Sequence, residues 1–215
     1  MVPRTLPSVR LESVNVGRPE LLAVDGKSVL TAIGKRPVAG PVPVRGVHVG
    51  DDVQAWTKGH GGPDQVAYAY AAEDAAWWSS ELGVGLGPGA FGENLTTSGL
   101  DVTGALVGER WRIGTVTFRV SGPRIPCRKL AAHLGVADMV KRFERAGRPG
   151  AYLAVVEEGV VAAGDAITVE HRPDHGLTVV EVARIYHRDR IEAPRLLAVS
   201  DVPAGWREWA TSRAG

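Results

Sequence analysis

Twenty-seven glycines and 14 prolines punctuate a chain of 215 residues, nearly a fifth of it against a usual share of roughly 12%. Inside a helix a glycine costs about 1 kcal/mol and a proline about 3 kcal/mol relative to alanine. Long uninterrupted helices are therefore disfavoured, and an all-helical bundle with them. Short strands joined by many turns are the expected outcome. Apolar residues make up 44% and charged residues 23%, which excludes disorder as the dominant state. The length suffices to bury a core without covalent staples.

The charge balance narrows the partners. Lysines and arginines total 25 and acids 24, a formal charge of +1, so no net field argues for nucleic acid or an anionic membrane surface. No segment reaches 18 uncharged apolar residues, so no membrane span is expected. Met1 to Glu12 holds arginines but no apolar stretch; no signal peptide is expected, and a cytoplasmic location is. Cys127 is the only cysteine, which rules out an intramolecular disulfide and any cysteine-rich metal framework.

Local patterns predict a mainly β protein with some helix, of the α+β class. Val66, Tyr68 and Tyr70 alternate with alanines as in a strand. A helix is expected over residues 71–82, with Glu73 and Asp74 in its first turn, Trp78 and Leu82 on one face and Gly83 ending it. Trp111 to Ser121 reads as a hairpin about Gly114–Thr115. Pro41 and Pro43 suit an edge strand or turn better than a central strand. Short helices are expected near 129–134 and 137–146, closed by Gly135 and Gly147, and strands over 151–156 and 166–171 with a hairpin piece at Val160–Val161. After Pro173 the character changes. Thr178 and Glu181 form a capping box opening a helix to about His187, and two further short helical patterns follow. Residues 1–172 are thus expected to form a β-rich domain and residues 173–215 a small helical one.

Three patches could carry chemistry: His60 to Gln65, Phe91 to Thr97 and Pro123 to Leu130. Cys127 leads, flanked by Arg124, Arg128 and Lys129 and preceding a predicted helix. Cationic neighbours favour thiolate over thiol, and a thiolate can be a nucleophile, a redox centre or a soft-metal ligand; a small buried hydrophobe is the bland alternative. The same cations suit an anionic ligand such as a phosphate. His60, among glycines, could serve a metal, a cofactor or a proton, or simply hold a turn. Glu93 and Asn94 could line a pocket or cap a turn. Gly85 to Gly89 follows no predicted strand and contains Pro88, which argues against a dinucleotide loop. Trp77 and Trp78 read as packing, and Arg184, Arg188 and Arg190 as a solvated face.

Taken in order, these patches resemble the MOSC family, the domain shared with the C-terminal part of molybdenum cofactor sulfurases, and within it the stand-alone bacterial members. Ser13 to Gly17, Lys35 to Pro41, Tyr68 to Tyr70, Gly99 to Asp101, Gly108 to Arg112 and Lys141 to Gly150 complete the match, which covers nearly the whole chain. The chain departs from the family pattern at Trp56, two residues after Gln54, where a carboxylate is usual, so no proton-transfer role is carried over there.

The resemblance implies a MOSC-like β-barrel followed by a three-helix segment, and association with the molybdenum cofactor, molybdopterin. It implies that Cys127 is either a thiolate ligand of molybdenum or a sulfur carrier. Lys35, His60, Asn94, Arg124 and Lys129 are expected to hold the cofactor, with Cys127 and His60 at the chemical centre. The function that follows is an oxidoreductase reducing N-hydroxylated bases or amines as small-molecule substrates, fed by a separate flavin or iron–sulfur protein; the alternative is a persulfide carrier. A homodimer is compatible with either. Pyridoxal phosphate, linked to fused family members, is not expected to bind, because the several-hundred-residue domain that takes it is missing from this chain.

Overall fold

The computed structural model describes residues 9–53 and 61–213. The chain opens with strands β1 (Arg10–Gly17), β2 (Glu20–Val24), β3 (Lys27–Thr31), β4 (Lys35–Pro37), β5 (Val42–Arg45) and β6 (His48–Val49). Strand β7 (Ala67–Ala71) runs directly into helix α1 (Ala72–Leu82), and β8 (Leu95–Ser98), β9 (Arg110–Ile113) and β10 (Val116–Pro123) follow. Helices α2 (Arg128–Leu134) and α3 (Met139–Ala146) precede β11 (Ala151–Glu157), β12 (Gly159–Val161) and β13 (Ile167–His171). The chain ends on α4 (Val179–His187), a short 3-10 turn, α5 (Pro194–Leu197) and α6 (Ala204–Thr211).

Eight strands form the main sheet in the order β13-β9-β10-β11-β7-β8-β1-β4. Neighbours are antiparallel except β7 and β8, which pair in parallel with Ala69 opposite Leu95. A parallel pair needs a crossover, and α1 supplies it. The mainly β, α+β class expected from sequence holds, but the strands do not close into a barrel. The far edge of β1 is divided: Asn15 to Gly17 pair with β4, leaving a single bridge from Arg10 to Ala166 beside β13. Hydrogen bonds from Leu11 N to Asp165 O (2.8 Å) and Ile167 N to Val9 O (3.0 Å) support that contact.

The apolar pattern builds the core. Leu11, Val14, Leu95, Trp111, Ile113, Phe118, Val120 and Leu153 interdigitate inside the curled sheet. On its other side Tyr70, Trp78, Phe91, Leu130, Met139 and Phe143 join α1, α2 and α3 to β7. Burying such side chains contributes about 1.5–3 kcal/mol each. The 111–121 hairpin forms as expected, with Val116 opposite Ile113. Two further expectations fail. Val160 and Val161 form no local hairpin but pair with β5, and β5 is the middle strand of the β12-β5-β6 sheet. Burial of Val42 and Val44 outweighs the donor that Pro43 lacks.

The C-terminal helices pack on the sheet. Val182, Ile185, Leu196 and Ala210 bury against Val107, while Val179 enters the main core. Thr178 is the N-cap of α4: its hydroxyl accepts from Glu181 N at 3.2 Å, and the Glu181 carboxylate accepts from Thr178 N at 3.0 Å. Thr178→Ala is expected to lower stability by about 1 kcal/mol, read by chemical denaturation, whereas a loss below the error of that measurement would discount the cap. Among the described residues no helix is long and apolar enough to cross a membrane.

Candidate functional site

Strand ends from distant parts of the sequence converge on one cavity. Lys35 begins β4, Asp52 follows β6, Tyr68 lies in β7, Asn94 precedes β8, Arg124 follows β10 and Tyr152 lies in β11. The cavity is lined by Lys35, Asn94, Arg124, Cys127 and Lys129, all five expected from sequence to share a site. His60 lies outside the described residues; its neighbour Gly61 lines the cavity.

Lys35 is nearly buried, its side chain 10% exposed, and its ammonium reaches both carboxylate oxygens of Asp52. Burial holds the Lys35 ammonium below its ordinary pKa, while Asp52 and then Glu93 pull it back up. Asp52 also accepts from Gly17 N at 2.6 Å and from Asn94 Nδ2 at 2.9 Å. Asn94 spends its second amide hydrogen on Asn15 O (3.3 Å) and accepts from Tyr68 N (3.2 Å). It therefore ties β1, β7 and the loop before β8 together at the cavity wall. Glu93, by contrast, is a turn cap: it accepts from Gly89 N (2.6 Å), Phe91 N (3.0 Å) and Thr96 Oγ1 (2.9 Å). Burial raises its carboxyl pKa against those donors.

Arg124 is the electrostatic oddity. It is 7% exposed, with its guanidinium 5.5 Å from the Tyr68 ring centroid and 5.9 Å from that of Phe143. Burial pushes the Tyr152 phenol up, and the neighbouring Arg124 opposes that rise. Among the described residues Arg124 has no carboxylate within ion-pair distance, and its Nη1 is buried without a hydrogen-bond partner. An uncompensated buried cation is costly, and an unmade charged hydrogen bond costs more than a neutral one. The cations flanking Cys127 in sequence separate in space. Arg124 and Lys129 face the cavity, while Arg128, with 77% of its side chain exposed, pairs with Asp25 of the β2–β3 hairpin. Arg128 opens α2 directly after Cys127 and is not among the residues that line the cavity.

Cys127, half-buried, is the N-cap of α2. Among the described residues no three His, Cys, Asp or Glu side chains gather to hold a metal ion, so a metal at Cys127 would bring its other ligands with it. A soft sulfur lining the same cavity as a buried arginine that has no acid partner among the described residues fits a cofactor that presents a soft metal at one end and an anionic group at the other.

Comparison with known proteins decides the kinship. The family model of the MOSC domain matches residues 57–168. YflK of Bacillus subtilis is 36% identical over 198 residues, spanning 91% of this chain and 90% of that protein. The chain belongs to the MOSC domain family. Its fold matches the crystal structure of YiiM from Geobacillus stearothermophilus at a TM-score of 0.79 and 30% identity, covering 96% of this chain and 100% of that one. A protein of Gibberella moniliformis named a reductase is 30% identical over 210 residues, 94% of this chain but 36% of its own length. MOSC membership associates the chain with the molybdenum cofactor in general terms.

Sequence reasoning missed the residues that hold this MOSC cavity in shape. Asp52 and Tyr152 line it without having been singled out, whereas Gln65 of the His60 to Gln65 patch lines it as a patch residue and Tyr68 of the family match was given no site role. Asp52 follows Gly50–Asp51 and looks like an ordinary turn acid. The tyrosines read as strand residues, which they are; burial pushes the Tyr68 phenol well up, with Arg124 opposing, so it stays neutral and donates to Pro149 O at 2.8 Å.

Proposed function

We propose that this cavity binds the molybdenum cofactor and that the chain is an oxidoreductase acting on N-hydroxylated bases or amines. The observation that carries the reading is Arg124: buried, among the described residues without a carboxylate partner and with Nη1 unsatisfied, and lining one cavity with Cys127. On this reading Arg124 and Lys129 hold the anionic end of the cofactor, and the Cys127 thiolate ligates molybdenum. Lys35, fixed by Asp52, and Asn94 keep the wall in place. The bound cofactor supplies two-electron oxygen-removal chemistry; converting N–OH to N–H takes two electrons and two protons and releases water. The protein's part is to bind, orient and keep the polar wall rigid. Electrons come from a separate flavin or iron–sulfur protein. The reductase name of the fungal relative supports the class of reaction and not the substrate; its greater length leaves room for further parts.

The test is turnover of an N-hydroxylated amine by protein from a cofactor-competent, molybdate-fed host, with a chemical reductant as donor. Reduction to the amine that depends on molybdate feeding supports the proposal. Absence of turnover, with one added sulfur atom found on Cys127 by intact mass, would replace it with the persulfide carrier. A second check removes the buried charge. Arg124→Met keeps bulk but no cation, and is expected to lower cofactor occupancy at least about tenfold, the cost of roughly one charge-assisted hydrogen bond or more. Unchanged occupancy would move the anion site elsewhere.

A further inference from the structure

A second cleft adjoins the Cys127 cavity; Gly61, Gln65 and Tyr152 line both. Its far wall is aromatic. Tyr186 of α4 and Trp206 and Trp209 of α6 form one cluster, with ring centroids 5.6 Å apart for Tyr186–Trp206, 5.1 Å for Tyr186–Trp209 and 6.1 Å for the two indoles. All three are half-buried. Among the described residues none of Tyr186 Oη, Trp206 Nε1 and Trp209 Nε1 makes an intramolecular hydrogen bond, and none is among the fully buried orphans. These three half-buried rings line the cleft and keep polar edges that no group among the described residues satisfies. Strand β10 makes room for this wall. Gly122 has φ 147°, and a Cβ there would lie 2.7 Å from Trp206 Nε1. Across the cleft Asp64 offers a carboxylate acceptor, steadied by Arg119 at 2.8 Å.

The Trp206 and Trp209 indoles stand at 82° to each other. We propose that this cleft is the subsite for a planar aromatic or heteroaromatic ring of the substrate, which stacks on one of these two indoles and meets the other edge-on while its N-hydroxyl end enters the Cys127 cavity. The proposal rests on the reductase reading of that cavity and deepens it: the C-terminal helices select flat rings over alkyl chains. Ring stacking on aromatic side chains tolerates many ring types, and the N–H and O–H edges of the wall can supply hydrogen bonds.

The experiment uses the full-length protein labelled with 15N and follows the indole N–H signals of its six tryptophans. Adenine serves as an unreactive planar probe and cyclohexylamine as its non-planar control. Adenine is expected to shift the two signals that disappear in Trp206→Phe and Trp209→Phe, respectively, and cyclohexylamine to shift neither. Adenine affinity is expected to fall about tenfold in Trp206→Leu and to stay within about twofold in Trp206→Phe, which keeps a ring. Unmoved Trp206 and Trp209 signals in the unaltered protein overturn the proposal, and so does equal affinity in Trp206→Leu; the unaltered protein decides if that variant does not fold. The two readings fail separately. Molybdenum-loaded protein that turns over aromatic and alkyl N-hydroxylamines equally, with unmoved indoles, overturns the subsite and spares the reductase. Shifted indoles without turnover of either class support an aromatic site and overturn the reductase.

Discussion

Cys127→Ser is expected to lose reduction of N-hydroxylated substrates to background while folding normally. A thiolate is needed whether the residue ligates molybdenum or carries sulfur. Serine keeps the size but offers a harder, mostly protonated oxygen, a poor match for a soft centre. The thiol is half-buried at a helix N-cap with no side-chain capping bond, so the stability change should stay within about 1 kcal/mol. Mild alkylation at neutral pH should label Cys127 in cofactor-free protein, and cofactor should protect it. Full turnover by the serine variant would refute the mechanism even with the family intact. An unfolded variant, beside intact protein holding neither molybdenum nor persulfide, would make Cys127 a packing residue.

Asp52→Ala is expected to carry the largest stability loss, about 3–5 kcal/mol, because it strands one member of a buried ion pair. Lys35 and Asp52 side chains are 10% and 6% exposed. The substitution also removes an acceptor from Gly17 N and from Asn94, so β1 and the loop before β8 loosen together. The sign of the pH dependence is diagnostic. Burial already holds Lys35 below its ordinary 10.5, with Asp52 pulling it back. Without Asp52 its folded-state pKa drops further, so between that value and 10.5 the unfolded chain binds more protons than the folded one. Stability of the variant then rises with pH in that window. The deficit against unaltered protein should narrow from neutral toward alkaline pH in denaturant titrations. A loss below about 1 kcal/mol, or a deficit that widens as pH rises, would show the pair to be solvated.

What could be read from sequence was what short-range chemistry dictates. The Thr178–Glu181 box, the glycine-closed helices α1, α2 and α3 and the Gly114–Thr115 hairpin each carry their own local signal, and each forms. The Asp25–Gly26 turn is a counter-example. Its φ values of 50° and 75° are those of a two-residue hairpin turn, but the flanking strands β2 and β3 are mostly exposed and do not alternate cleanly. The parallel β7–β8 pair and the divided edge of β1 are set by pairings far apart in the chain, which no local pattern reports. The site follows the same division. Lys35, Asn94, Arg124, Cys127 and Lys129 stood out through the family resemblance and the glycine- and cation-rich patches. Asp52 did not, because its importance lies in contacts with Lys35 and Asn94, 17 and 42 positions away. Arg124 and Arg128 look alike in sequence, and burial alone separates the cavity cation from the surface one.

The central claim is that this cavity holds molybdenum through Cys127. It is met most directly by elemental analysis of protein expressed with molybdate in a cofactor-competent host, beside Cys127→Ala prepared the same way. The account predicts molybdenum approaching one atom per chain in the unaltered protein and background in the variant. Equal molybdenum in both, or none in either, would contradict it.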